Sequence, residues 1–170
     1  MDLAPWLPWI NLIHVLAAFG FVFVHGVSGL LSLRVRGERD RERIKTMTEL
    51  SGSFIGWGWI TLLVLVLAGA LSGVVAGWWT SGRLWIWASV VVLVVVAGLM
   101  TPIGSRYMNS VRHAVGLATF DDLRKKREPP PPATDEELAR VLASPQPLIA
   151  AAIGVGGIAV LVWLMMLKPF

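Results

Sequence analysis

Four stretches of the chain contain no Asp, Glu, Lys or Arg, and apolar side chains fill most of each stretch. They cover residues 3–33, 50–82, 84–105 and 141–167. Each stretch reaches the roughly 20 residues that an apolar helix needs to cross the hydrocarbon core of a bilayer. Within them we predict membrane spans at residues 9–33, 54–77, 84–103 and 148–167. The spans are predicted to be helices, because an isolated strand cannot satisfy its backbone hydrogen bonds in lipid.

The composition of the chain supports the same fold class. Apolar residues make up 55% of the 170 residues, charged residues make up 15%, and the mean hydropathy is +0.67, whereas a typical soluble domain carries about 25% charged residues. We therefore predict an all-α polytopic membrane protein, with one domain over residues 1–170 built as a four-transmembrane-helix bundle. The chain has no cysteine, which excludes structural disulfides, thiolate metal clusters and thiol catalysis.

The basic residues are divided unevenly among the segments that connect the predicted spans. Thirteen of the 15 Lys and Arg residues lie in the first and third loops, and only Arg83 and Lys168 lie elsewhere. The positive-inside rule then predicts two cytoplasmic loops, with the N-terminus and the C-terminus outside. A secretory signal begins with basic residues, whereas this chain begins with Met1 and Asp2. We therefore expect the first span to stay in the mature protein.

The two predicted cytoplasmic loops differ in length. The first is interpreted as a charged helical extension that lies over lipid headgroups. The other cytoplasmic loop is the third loop of the chain, at residues 104–147. We expect it to begin as a helix that continues the third span. Thr134 and Glu137 match a capping box, which predicts a short helix after them. Asp121 and Asp122 precede four basic residues, so we interpret them as a solvated helix start with compensating charges.

Small residues recur at helical spacing in two of the predicted spans. In the second span Gly69, Gly73 and Gly77 follow one another every four residues, and the fourth span contains Gly154 and Gly157. Such residues let helix backbones approach closely, because lipid provides no hydrophobic drive for helix association. We interpret them as helix-packing residues within the bundle. The alternative is that they form contacts in a homo-oligomer or in a larger membrane complex.

His14 and His25 are the only ionisable side chains inside the predicted spans. Their spacing returns to nearly the same helix face about 16 Å along the axis. Asn11, Ser28 and Ser32 lie near this stripe, so this side of the first span is predicted to face the other helices. In one interpretation each imidazole hydrogen-bonds to a neighbouring helix. In the other, the two histidines bind copper or a b-type haem, with or without a methionine thioether.

No sequence motif points to catalysis. No carboxylate lies in any predicted span, which disfavours a proton relay, a pump or a channel. Phosphate-binding loops and the motifs of zinc proteases and serine hydrolases are missing, so we predict no catalytic residue and favour a protein that is not an enzyme. The leading hypothesis is a structural or accessory subunit, or an assembly factor, whose partner is the lipid bilayer and not nucleic acid. The alternative is a redox or metal-handling module that uses His14 and His25. A third hypothesis is a small transporter with a water-accessible face along the same two histidines.

The segment LIHVLAAF at residues 12–19, followed by His25 and Gly26, resembles the first helix of a bacterial family of membrane proteins. This is an uncharacterised four-helix integral-membrane family, a domain of unknown function, and the segment is also loosely similar to copper-resistance D-like membrane proteins. The resemblance extends to the arrangement of spans and to the charged first loop. It implies a multi-pass protein of the bacterial plasma (inner) membrane, without an established reaction. A copper-related role would be carried by His14 and His25.

Overall fold

The computed structural model describes residues 3–170; Met1 and Asp2, on which the expectation about the N-terminus rests, lie outside the described residues. The α-helices within this part of the chain are α1 (Leu7–Val35), α2 (Arg41–Ser53), α3 (Ile55–Val75), α4 (Leu84–Ala114), α5 (Phe120–Arg124), α6 (Asp135–Leu142) and α7 (Gln146–Leu167). Short 3-10 helices at Ala4–Trp6 and Trp78–Thr80 precede α1 and α4. No β-strand occurs in residues 3–170.

Four helices, α1, α3, α4 and α7, contain the segments that are long and apolar enough to cross a membrane. They coincide with the four predicted spans, which confirms the all-α, multi-pass fold class. Large apolar side chains project from them, such as Phe19, Phe23 and Leu67, which are 71%, 67% and 59% exposed. This exposure is expected of helices whose outer surfaces contact lipid instead of a protein core.

The connection between α3 and α4 depends on two glycines. Gly77 has a φ of 66° and Gly82 a φ of 73°, values in the left-handed region that glycine adopts at little cost. Gly77 follows the C-cap residue Ala76, where a left-handed glycine commonly ends a helix. A Cβ atom added to Gly77 would meet no atom within 4 Å. Gly77 therefore departs from the predicted packing row, because the helix has already ended there.

The predicted helical continuation of the third span is confirmed. α4 runs through Pro102 and ends at Ala114. In the same loop, Thr134 and Glu137 form the predicted capping box. The Glu137 N–H donates to Thr134 Oγ1 at 3.3 Å, and the Thr134 N–H donates to Glu137 Oε2 at 3.2 Å. These two bonds satisfy N–H groups that the first turn of α6 would otherwise leave without a partner.

The chain divides into two compact units. The first comprises Met1–Gly26, Phe54–Val96 and Val155–Phe170, and the second comprises Val27–Ser53 and Ala97–Gly154. The first unit has a small core of Trp85, Ile86 and Leu164, to which Trp78 and Trp79 add partly buried rings. The second has a larger core made by the end of α1, α2, the last turns of α4, and α6, with the buried members Val35, Ile44, Tyr107, Val111, Ala114, Val115, Leu138 and Leu142.

The core of the second unit corrects the expectation for the first loop. α1 ends at Val35, and α2 begins as a separate helix at Arg41. α2 buries Ile44, Thr48 and Ser51, so one side of this charged helix packs against protein. The buried side of α2 is hard to recognise in the sequence, because acidic and basic residues surround it. Only three positions are buried, and two of them are polar.

Arg41, in the first loop, forms hydrogen bonds and an ion pair with residues of the third loop. Its guanidinium donates to the Ala114 carbonyl at 3.0 Å and to the Ala133 carbonyl at 2.9 Å. It also forms an ion pair with Asp135 Oδ1 at 2.7 Å. The first bond supplies a donor to a carbonyl at the end of α4, where positive charge is favourable to the helix dipole. One basic residue of the first loop therefore positions both α4 and α6.

Candidate functional site

His14 lies in the contact between α1 and α3. Its Nδ1 atom is 2.9 Å from the carbonyl oxygen of Leu65, and because a carbonyl can only accept, Nδ1 carries the proton and donates. The imidazole lies close to Gly69, since a Cβ atom added there would come within 2.7 Å of His14 Cε1. Gly69 is therefore the packing residue that the sequence predicts, and its missing side chain makes the space for the ring.

A second polar pair joins α1 and α3 beyond His14. Ser72 Oγ donates to Asn11 Oδ1 at 2.5 Å, and both side chains are at least partly buried. The contact continues in the other direction, where a Cβ atom on Gly20 would lie 3.3 Å from Thr61 Cγ2 and one on Gly58 would lie 3.6 Å from Val24 Cγ1. Residue numbers rise along α1 as they fall along α3, so the two helices pack antiparallel, with small and polar residues at the contact.

His25 has different surroundings from His14. It is exposed, and its ring stacks on Phe21 with a centroid separation of 5.0 Å. Its imidazole forms no hydrogen bond with any residue in the described part of the chain. The contact with α3 passes through the preceding residue, Val24, and each helical step turns the side chain by about 100°. The polar stripe predicted on α1 is therefore covered at Asn11 and His14 and uncovered at His25.

The two histidines do not form one binding site. About 16 Å of helix separates them along α1, and residues 3–170 contain no group of three or more His, Cys, Asp or Glu residues that could hold a metal ion. The Nδ1 bond to Leu65 leaves Nε2 of His14 as the nitrogen that could ligate a haem or copper ion. Gly69 lies nearest the Cε1 and Nδ1 atoms of the ring. Met100, one of the methionines that could supply a thioether, packs against Gly154.

The other predicted packing glycines also make close contacts. A Cβ atom on Gly73 would overlap the indole of Trp79, and one on Gly157 would overlap the side chain of Val96. A Cβ atom on Gly154 would lie 2.7 Å from Met100 Cε. Gly69, Gly154 and Gly157 therefore face side chains of a neighbouring span, whereas Gly73 makes space for the indole of Trp79 in the turn after α3 and Gly77 belongs to that turn.

Comparison with known protein families, with curated proteins and with solved structures finds no match for this chain. The resemblance of residues 12–19 to bacterial four-helix membrane proteins therefore stays a prediction.

The sequence reasoning missed a buried carboxylate in the third loop. The side chain of Asp122 is 8% exposed, and its Oδ2 atom accepts from Thr119 Oγ1 at 2.5 Å and from the Thr119 N–H at 2.9 Å. His113 Nε2 lies 2.7 Å from the same oxygen. The hydrogen bond from the Thr119 hydroxyl, followed by that from His113, holds the pKa of Asp122 well below its ordinary value.

The neighbouring carboxylate, Asp121, behaves as the sequence predicts. It is partly exposed and pairs with Lys125 at 2.9 Å and Arg127 at 2.6 Å. Asp122 instead forms a capping box with Thr119. The signal that could have found it is the spacing of Thr119 and Asp122, which is the same as that of the capping box at Thr134. This group of side chains orders α5 against the end of α4, which is a structural role.

Proposed function

We propose that the protein is a non-enzymatic accessory subunit or assembly factor of a membrane complex, which binds its partner laterally through the surface of α1 around His25. The setting we propose is the bacterial plasma membrane, with both termini outside and the two basic loops in the cytoplasm. The distribution of basic residues supports this orientation, since 13 of 15 lie in those loops.

The observation that carries the proposal is the exposed imidazole of His25. Ionisable side chains inside membrane spans almost always face a protein partner or a water-filled cavity, because lipid offers them no hydrogen bond. His14 meets this requirement within the chain, through Leu65. His25 does not, and its ring contact with Phe21 leaves both nitrogen atoms without a partner in residues 3–170. A helix of another protein chain can supply the missing hydrogen bond.

The surface beside His25 is suited to a close helix contact. Gly26 follows it on α1, and a Cβ atom there would meet nothing within 4 Å. Small residues at a helix surface allow a second backbone to approach and to form hydrogen bonds across the interface. The haem or copper alternative has no comparable support, because residues 3–170 contain no group of three or more His, Cys, Asp or Glu residues that could hold a metal ion.

The proposal is tested by the strength of association in native membranes. Tagged protein extracted in polymer-bounded native discs is resolved by native electrophoresis, and the fraction in a larger complex is measured. Replacing His25 by Leu removes one interhelical hydrogen bond, worth on average about 0.6 and at most about 1.7 kcal/mol. Association should then weaken about three- to eighteen-fold. An absorbance spectrum of the same preparation tests for haem.

Two matched variants separate loss of the hydrogen bond from a general effect on α1. His25→Asn keeps a polar group that can donate and accept, and should retain most of the complex. Phe19→Leu changes a lipid-exposed residue of the same helix and should leave the complex unchanged. A wild-type protein that migrates only as a lone chain would refute the proposal, as would a His25→Leu variant with undiminished association.

A further inference from the structure

The two basic residues outside the loops, Arg83 and Lys168, are far apart in the sequence and come together in the fold of the first unit. They line one pocket of about 390 Å³, together with Trp85 and Phe170. Arg83 immediately precedes α4 and Lys168 immediately follows α7. The pocket therefore combines two cationic side chains with two aromatic ones.

Lys168 is held over aromatic rings at this pocket. Its N–H donates to the Leu164 carbonyl at 3.0 Å, and its φ of 46° turns the chain away from the axis of α7. The Nζ atom lies 5.1 Å from the ring centroid of Trp78 and 5.4 Å from that of Trp85, within the range of a cation–π interaction. The backbone N–H of Trp85 donates to the Phe170 carbonyl at 3.3 Å. This bond keeps the chain after α7 next to the start of α4.

The two cations of the pocket have no acidic side chain beside them. Neither Arg83 nor Lys168 forms an ion pair with a carboxylate in residues 3–170. The first turn of α4, which begins directly after Arg83, contains no acidic residue. The N-terminus of a helix carries partial positive charge and favours anions. Because the backbone N–H of Trp85 in this turn already donates to Phe170, the attraction for a further anion comes chiefly from the two cationic side chains.

We propose that this pocket binds a phosphate group, such as the one in the headgroup of an anionic phospholipid. Arg and Lys are the side chains that recognise phosphate, Arg through paired N–H donors and Lys as a point charge. Tryptophans of membrane proteins favour the headgroup level of the bilayer, and Trp78 and Trp85 place the pocket there. The apolar faces of Trp85 and Phe170 can contact the glycerol and acyl portions of a lipid. This inference does not rest on the proposed function.

Lipid retention measured by native mass spectrometry tests the site. The full-length protein is released from detergent micelles that contain phosphatidylglycerol or phosphatidylcholine, and the bound fraction is recorded for each lipid. Each basic residue near a membrane surface attracts anionic lipid enough to change binding about fivefold. The variants Arg83→Gln and Lys168→Gln should each lower phosphatidylglycerol binding by that factor, and the double variant by roughly 25-fold, with phosphatidylcholine binding changed less.

Three controls keep the test specific. Lys168→Arg preserves the charge and should preserve binding, and Arg140→Gln removes an exposed charge from α6 and should have no effect. Titration with inorganic phosphate, followed by tryptophan fluorescence, distinguishes the source of the phosphate: a response lost in the double variant, without selective lipid binding, assigns the site to free phosphate. Equal binding of both probes by the wild type and the double variant would overturn the proposal, as would an equal loss in Arg140→Gln.

Discussion

Gly156 and Gly157 are adjacent in α7 and have opposite surroundings, which makes them a matched pair for testing helix packing. A Cβ atom on Gly156 would meet nothing within 4 Å, whereas one on Gly157 would overlap Val96 Cγ2 and lie 3.0 Å from Val96 Cγ1. We predict that Gly157→Ala destabilises the fold and that Gly156→Ala does not. Both variants gain the same helix propensity from alanine, about 1 kcal/mol at most, so that contribution cancels in the comparison.

The expected difference follows from the rigidity of Val96. A β-branched side chain in a helix has one strongly preferred rotamer, so Val96 cannot turn both methyl groups away from a new Cβ atom. The helices must separate instead, and such overpacking typically costs about 1–3 kcal/mol. Truncation of Val96 to Ala removes both γ carbons and leaves the Val96 Cβ at 3.3 Å. The double variant Val96→Ala/Gly157→Ala should therefore recover most of the loss that Gly157→Ala causes.

The assay is reversible unfolding in mixed micelles with an increasing fraction of denaturing detergent, followed by helical circular dichroism and tryptophan fluorescence. The free energies of unfolding of the wild type, Val96→Ala, Gly157→Ala and the double variant form a double-mutant cycle for residues 96 and 157. Gly157→Ala should be about 1–3 kcal/mol less stable than Gly156→Ala. Equal stability of these two variants, or a double variant no better than Gly157→Ala, would refute the assignment of this contact.

Three further predictions concern other buried groups. Gly69→Ala places a Cβ atom 2.7 Å from the ring of His14 and should lower the free energy of unfolding by about 1–3 kcal/mol in the same assay; an unchanged value would contradict the packing of that ring. Tyr107 is 2% exposed and its hydroxyl has no hydrogen-bond partner among residues 3–170, so Tyr107→Phe should leave stability unchanged or raise it by up to about 1 kcal/mol, whereas a loss of stability of more than about 1 kcal/mol would contradict this. The pKa of Asp122 is lowered in the fold, first by the Thr119 hydroxyl, so its contribution is present above the ordinary aspartate pKa of about 3.9 and is lost as pH falls through the lower folded value. Asp122→Asn should therefore weaken the acid dependence of stability between about pH 5 and the acid limit, and an unaltered pH profile would argue against it.

The membrane spans could be predicted because one requirement dominates them. A helix in lipid must be apolar over about 20 residues, and that requirement is visible without knowledge of its neighbours. α4 begins at Leu84 and α7 ends at Leu167, as predicted. The packing roles of Gly69, Gly154 and Gly157 could be predicted for a similar reason. In a membrane helix, glycines at helical spacing mark positions where a neighbouring helix can approach closely.

The folding of the loops could not be predicted in the same way. Ile44 packs with the last turns of α4, although these residues are distant in the sequence. No local sequence pattern predicts this contact. In the sequence Asp122 has the features of a solvated charge. The structure shows that Thr119 and His113 surround its carboxylate and hydrogen-bond to it. At the candidate site the sequence correctly placed both histidines on one stripe of α1. It could not show that α3 covers only His14, because coverage depends on where the neighbouring helix crosses.

Site-specific photo-cross-linking in living cells tests the proposed lateral contact most directly. A photoreactive phenylalanine analogue is placed at position 22, one turn before His25 and 41% exposed, and, in a separate protein, at position 23, which is 67% exposed and lies on the other side of α1 from His25. Position 22 is predicted to give one dominant protein adduct, whose mass distinguishes a second copy of this chain from a different partner, while position 23 gives lipid adducts. Lipid adducts alone at position 22, or the same protein adducts from both positions, would contradict the account.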